Sequence, residues 1–427
     1  FALRAQNATV TAQYFDMTGT NADGFNLTSS TTVTSFDNAF FTIGAGTSAI
    51  TVDATTIDTN PASQFFNTDF VTGGGAVNVT LSGSPTSYWW FRDGQGDRYG
   101  EAFDNGDGDP GSIRWDDSSF VIAVSGTVYA DDGSTTLGGP TCDGVANNVR
   151  IVVNGGAFAS STFCSGVDGS YSFPSVSYTG DANIVVYLDT GGGVQGSIVT
   201  KTPTVDITDL NIYADRVMTR HEDTAPLTIA NMAVYDENDD SDLRFVAATG
   251  SPDTLIVRPD TELIVASSTT FTPGGNITLQ SGGTGNSFDG SFHIDNNGTF
   301  TASGTESHSV GGSFFADTGA TFTSATTTFT FTATTSGKTI TGSSSLTFNE
   351  VQFTGVGGAW NLNTDITVLG NIQVATGTLT GTGDITIPTG SFTGAGLVSL
   401  GGGTTTIETT SVLGGPQGWT FYDLTLG

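Results

Sequence analysis

Apolar and polar residues alternate along most of this chain in short runs, and Gly or Asn interrupts the alternation every five to ten residues. "TFTFTA" at 328–333 and "DITIP" at 384–388 alternate strictly. A period of two places successive side chains on opposite faces of a strand. Helical stretches would need Ala, Leu, Glu, Lys and Gln in a 3.6-residue pattern, and such patterns are nearly absent. The residues present are Thr, Ser, Val, Phe and Gly, which suit strands and turns. The pattern predicts an all-β protein: tandem β-sandwich domains followed by a β-solenoid repeat region.

Texture changes along the chain set the expected boundaries. Residues 1–118 read as an N-terminal β-sandwich-like domain, with strands near "TVTAQYF", "FFTIG", "AITVDA", "AVNVTLS" and "SYWWF" before an acidic loop. Residues 119–216 hold "VIAVSGTVYADDGST", "NVRIVVNGG", "GVDGSYSFPSV", "ANIVVYLDT" and "VDITDLNIYAD", short strands at sandwich spacing. Residues 217–270 read as a connector with a second acidic loop. From 271 to 427 an opening of Gly, a polar residue and an apolar one recurs at "GNITL", "GSFHIDNNGTFT", "GSFFADTGATFT" and "GNIQVATGTLT". Such degenerate rungs signal a β-solenoid, because each rung offers one inward apolar row that only its neighbours can bury. Thr suits the outward positions, being β-branched, polar and uncharged. An irregular sandwich of Thr-rich strands is the alternative that this pattern leaves open.

Two resemblances follow from particular stretches. "SGTVYADDGS" and "DGSYSF" (Asp168 to Phe173) resemble the carboxypeptidase-regulatory-like, prealbumin-type sandwich, which implies a structural spacer over about 100 residues. "GEAFDNGDGDPGSIRWDDSSF", "YADRVMTRHEDTAPLTIANMAVYD" and "FTPGGNITL" look like the large secreted, cell-surface repeat proteins of uncultivated ultrasmall bacteria. That likeness implies export and names no activity.

Charge and composition narrow the partners. The 427 residues carry 42 acids against 11 bases, a formal net charge of −31. Phosphate recognition needs clustered Lys and Arg, so nucleic acid and anionic membrane surfaces are disfavoured. No apolar run reaches membrane-spanning length. With 29 Phe and five Trp to bury, the acidity is not a sign of disorder. Cys142 and Cys164 are the only cysteines, which excludes a Cys-rich zinc site and predicts one disulfide in an exported protein. Five Asn-x-Ser/Thr triplets, at Asn7, Asn26, Asn78, Asn276 and Asn297, are expected mostly by chance in so Thr-rich a chain.

Two acidic loops could hold calcium, whose six to eight oxygen ligands a Gly-rich loop can gather. In "RDGQGDRYGEAFDNGDGDPGSIRWDD", Asn105, Asp107 and Asp109 alternate and Asp116 follows; Pro110 stands where an EF-type loop needs Gly, so any such site is of another type. In "YDENDDSDLR", Asp236, Asn238, Asp240 and Asp242 alternate, and their mutual repulsion calls for a cation or for solvent. A solvated acidic turn explains either loop equally well. Catalytic signals are poor. His221, His293 and His308 lack ligand spacing to one another, and no G-x-S-x-G elbow appears. A polysaccharide-cleaving solenoid would need paired carboxylates on neighbouring rungs, and the acids after residue 275 stand singly in sequence, with Lys338 the lone base. Tyr88, Trp89, Trp90 and Phe91 form an aromatic run whose alternate members face opposite ways: core on both faces, or a subunit contact or glycan platform on one.

The chain begins at Phe1, which implies that something precedes it, and "WTFYDLTLG" at its end repeats "LTFNEVQFTG" without the continuation seen after residue 355. No cap is visible after Trp419, so Trp419 and Phe421 are expected to meet further repeats or another subunit. The N-terminal "NATVTAQYF" has the alternation a donated strand needs. The expectation is a non-catalytic extracellular structural protein, polymerising head to tail with itself into a surface filament, sheath or layer. The alternatives are a glycan- or cell-binding adhesin and a solenoid polysaccharide-cleaving enzyme.

Overall fold

In the computed structural model the described residues are 3–18, 24–28, 31–44, 48–72, 77–92, 94, 98, 100, 103–106, 111–116, 120–131, 133–156, 160–178, 182–191, 193–201, 205–223, 225–408 and 412–427. The protein is all-β, with about 3% helix and about 17 turns of β-solenoid. Residues 1–120 with 177–180 form the first unit; residues 121–176 with 181–427 form the second.

Coils in the second unit stack in parallel and in register, three strands to a coil. One sheet runs through Glu262–Val265, Phe292–Ile294, Phe314–Ala316, Lys338–Gly342, Ala359–Leu362, Thr378–Gly381 and Leu397–Leu400. A second runs through Gly275–Leu279, Ser307–Val310, Thr328–Phe331, Glu350–Phe353 and Ile372–Val374, and a third carries Leu346–Phe348, Ile366–Val368, Ile385–Ile387 and Thr404–Ile407. Register puts like on like. Phe271, Phe300 and Phe322 align inward, while Thr270, Thr299 and Thr321 align beside them. Because no coil can cover its own apolar row, the rows fuse into one core that extends from Val152 to Ile407. Aromatic rings fill its middle: Phe314, Phe322, Phe329 and Phe348 pack at centroid distances of 4.9 to 6.1 Å. Coil length varies, which hides the repeat in sequence. Asp384 meets the Asp365 carboxylate 19 residues back, whereas Asp260 meets Asp289 29 residues on. Glycine marks close approach between coils: a Cβ on Gly383 would stand 2.0 Å from the Thr364 carbonyl oxygen.

Parallel stacking begins earlier than the sequence suggests. Ser197–Lys201 pairs in parallel with Arg216–Thr219, and Arg216–Thr219 with Glu262–Val265. Part of the 217–270 connector is therefore coil. The rest of it is a short helix, Ile229–Met232, capped by Thr228 and Asn231, and the antiparallel hairpin of Phe245–Ala248 with Asp253–Val257. Val149–Val153, Asn183–Leu188 and Ser197–Lys201 are antiparallel neighbours, and they join the coil stack as one sheet of twelve strands. Of the region read as a sandwich, these strands thus open the solenoid's own sheet, while Val128 and Tyr129 pair with Ile212–Tyr213 in a separate sheet.

Residues 1–118 also depart from the expected sandwich. Among the described residues of this unit every strand pair is parallel: Leu3–Gln6 with Phe25–Thr28, then Ser48–Asp53 and Val77–Ser82; Asp16–Thr18 with Phe40–Ile43 and Asp69–Thr72; Ser63–Phe66 with Trp89–Arg92 and Ile113–Asp116. Alternation is the same in both architectures; coil geometry is what a single strand cannot reveal. Like again stacks on like, with Phe41 on Phe70 at 5.3 Å and Phe65 beside Phe91 at 5.3 Å.

Cys142 and Cys164 form the expected disulfide, with Cα atoms 4.8 Å apart at a sequence separation of 22. Closing a loop of that length restricts the unfolded chain by about 3 kcal/mol. Replacing Cys164 by Ser is expected to lower stability by about that amount, read as a shift in the urea midpoint with the slope unchanged. An effect below about 1 kcal/mol would show that the crosslink constrains nothing.

Candidate functional site

The second acidic loop is described throughout, and its carboxylates accept hydrogen bonds from within the chain. The Asp236 carboxylate accepts the amides of Asn238 (2.8 Å) and Ala247 (2.8 Å). Asp240 accepts the Tyr187 hydroxyl (2.7 Å) and the Asp242 amide (3.0 Å). Asp242 accepts the amides of Thr190 (3.1 Å) and Gly191 (3.0 Å) and the side-chain amide of Gln195 (3.0 Å). Asp240 and Asp242 both lie close to Asp189, which pairs with Arg150, and these bonds tie the loop to the antiparallel strands.

The first acidic loop falls largely outside the described residues, with Asp107 and Asp109 among those not described. Asn105 spends its backbone on the ladder, its amide donating to Val79 (3.0 Å) and its carbonyl accepting from Leu81 (2.8 Å). Asp116 ends the strand Ile113–Asp116, in register with Arg92.

The aromatic run splits as its alternation requires. Trp89 and Phe91 are fully buried in the first unit's core, and the Trp89 indole donates to the Asn60 carbonyl (3.1 Å). Tyr88 and Trp90 lie half-buried on the other face, ring centroids 6.2 Å apart. Guanidinium groups sit over both: Arg114 at 3.9 Å from the Tyr88 ring and Arg92 at 4.3 Å from the Trp90 ring. Trp419 and Phe421 pack on Phe392 at 5.0 and 6.1 Å, and the Trp419 indole donates to the Gly396 carbonyl (2.9 Å).

The histidines have three different fates. His221 accepts the Thr270 amide on Nε2 (2.8 Å) and serves the backbone. His308 is buried in the core against the Phe329 ring (4.9 Å) and the Phe300 ring (5.5 Å), and neither ring nitrogen finds a partner. Burial in that apolar setting pushes its pKa down to about 4.

His293 has the chemically richest surroundings. It sits on Phe292–Ile294, with Asp295 just past the strand end, two residues on and so on the same face. Ile294 pairs with Ala316, and the Asp317 amide continues the ladder to the Ile294 carbonyl (2.9 Å), which places Asp295 and Asp317 at the same position of successive coils. Asp317 Oδ2 lies 3.1 Å from His293 Nε2, and one ligand atom from each of His293, Asp295 and Asp317 falls within 4.8 Å of the other two. Among the described residues this is the one group of three or more such side chains so gathered. One coil earlier, buried Glu262 lies 3.7 Å from His293 Nδ1 and is held by Arg216 (3.2 Å). The group lines an open cavity of about 220 Å³ together with Tyr213, Met218 and Ile264.

Sequence reasoning passed over this group because Asp317 is distant in sequence from His293. Acids that stand singly in the sequence become neighbours once coil length is known, as Asp365 and Asp384 also do. Lys338, the lone base of the repeats, is buried; its ammonium donates to the Asn286 carbonyl (2.9 Å) and secures a long turn. Comparisons with family models, curated proteins and solved structures return no match for this chain.

Proposed function

We propose that this chain is a non-catalytic extracellular structural protein whose stacked coils build a surface filament, sheath or layer. The observation that carries the reading is the continuous core from Val152 to Ile407, which uses the inward positions of successive coils for packing. Outward rows such as Thr270, Thr299 and Thr321 are polar and uncharged, suited to a wet surface. The disulfide agrees with an oxidising compartment. Among the described residues no helix is long and apolar enough to cross a membrane. "NATVTAQYF" already pairs within its own unit, Thr9–Thr11 lying beside Thr32–Ser35. Self-association through this segment would therefore proceed by edge pairing rather than by handing over a strand.

A second reading, a glycan-binding adhesin, is favoured by one feature. Tyr88 and Trp90 present outward rings flanked by Arg92 and Arg114, a surface on which sugar rings could stack. Negative-stain microscopy of the purified chain separates the readings. Filaments or sheets, with and without a chelator, are expected from a structural protein. A dispersed monomer that binds a glycan array, and loses binding in Trp90→Ala, would replace that reading with the adhesin. Release of reducing ends from polysaccharide would replace both with the enzyme.

A further inference from the structure

We propose that His293, Asp295 and Asp317 form a binding site for a divalent first-row transition-metal ion, of which zinc is the type, joining two successive coils. Asp295 and Asp317 are stacked at one position of adjacent parallel strands. Like charges placed so are destabilising unless a cation lies between them. The third member supplies a nitrogen rather than more negative charge: His293 Nε2 is shielded from solvent, makes no hydrogen bond, and stands 3.1 Å from an Asp317 oxygen.

Two acceptor atoms at that distance repel if the imidazole is neutral and its proton is on the other nitrogen. Glu262, fixed by Arg216, approaches Nδ1 from the preceding coil, and a proton held on that side would leave Nε2 free to ligate. A carboxylate behind a ligating imidazole is the usual way of orienting the ring and raising its basicity toward a metal. Phe315, in register with His293, holds its ring centroid 5.7 Å from that of the imidazole and limits how the ring can turn.

The donor set selects the ion. Imidazole suits zinc, iron, nickel and copper, whereas calcium and magnesium prefer all-oxygen shells of six or more ligands. One nitrogen and two carboxylates give three protein ligands and leave positions open toward the cavity for water or a further ligand. The inference does not depend on the structural reading of the whole chain.

The test is isothermal titration of zinc chloride into the metal-stripped full chain, beside cobalt(II) absorption spectroscopy. The expected result is one zinc ion per chain, and visible cobalt bands that zinc displaces. Asp317→Asn, and separately His293→Gln, should weaken binding about ten-fold or more, the least that removal of a ligand costs when loss of an orienting partner already costs 10–100-fold. Both variants are checked for unchanged melting in EDTA, and Glu408→Gln, remote from the site, should bind as the parent does. No stoichiometric binding, undiminished binding in both variants, or calcium competing as well as zinc would overturn the proposal. So would nitrogen NMR showing a proton resident on His293 Nε2 at pH 7 in the presence of zinc, since an imidazolium would then bridge the carboxylates instead.

Discussion

Replacing Phe348 by Ala is expected to destabilise the second unit by about 3–5 kcal/mol. The ring is fully buried and touches four others, with centroids of Phe322, Phe329, Phe314 and Phe331 at 4.9, 5.4, 5.7 and 6.4 Å. All four rings belong to the coil that precedes Phe348's own, so the void would open at the contact between two coils. In a stack where each coil depends on its neighbours, a weakened contact lowers cooperativity as well as stability. Urea unfolding followed by tryptophan fluorescence, to which Trp360 contributes from its buried place beside Phe353, should show an earlier midpoint and a broader transition. Phe348→Leu should recover part of the loss, and Val356→Ala, at a position 75% exposed, should change stability by no more than about 0.5 kcal/mol. A Phe348→Ala variant within 1 kcal/mol of the parent would refute the view that this aromatic column holds the coils together.

The second expected result concerns acid. His308 titrates near 6.5 when unfolded and near 4 in the folded chain, because the core excludes its charged form; only the charge of Glu306 pulls the other way. Between those two values the unfolded chain binds the extra proton, so acid favours unfolding. The contribution is intact above pH 6.5, declines as pH falls, and is fully lost below pH 4. At 1.36 kcal/mol per pH unit of difference, the loss is about 3 kcal/mol. Other groups also titrate in this range, so the informative quantity is the difference between the parent and His308→Leu. That variant should have a flatter stability curve between pH 7 and pH 4 and should overtake the parent near pH 5. Parallel curves would mean that the imidazole finds a partner in the core.

The strand content was legible because period two is a local property: Thr328–Phe331 buries Phe329 and Phe331 as "TFTF" says it should. The coil stack was legible where the openings repeat, from "GNITL" onward. In residues 1–118 the same alternation failed to separate parallel coils from a sandwich, because the distinguishing information lies in which strand becomes the neighbour. That choice depends on turn length, and turn length varies: Asn363 meets Thr341 22 residues back, whereas Ser343 meets Asp317 26 residues back. The site around His293 was hidden for the same reason. Two of its members are two residues apart in sequence and the third lies a full coil away across the ladder, and a reading confined to local spacing finds only the first relation. The buried Glu262 and Arg216 were equally invisible, since nothing in their own neighbourhoods marks them as partners.

The sheet that passes without interruption from the antiparallel strands into the coils has a mechanical consequence. Twelve strands at a spacing of about 4.8 Å make a hydrogen-bonded plate of roughly 50 Å. Within that plate there is no swivel. A push applied at Ser160–Thr162 is delivered at Leu397–Leu400, and this sheet behaves as a strut rather than a tether.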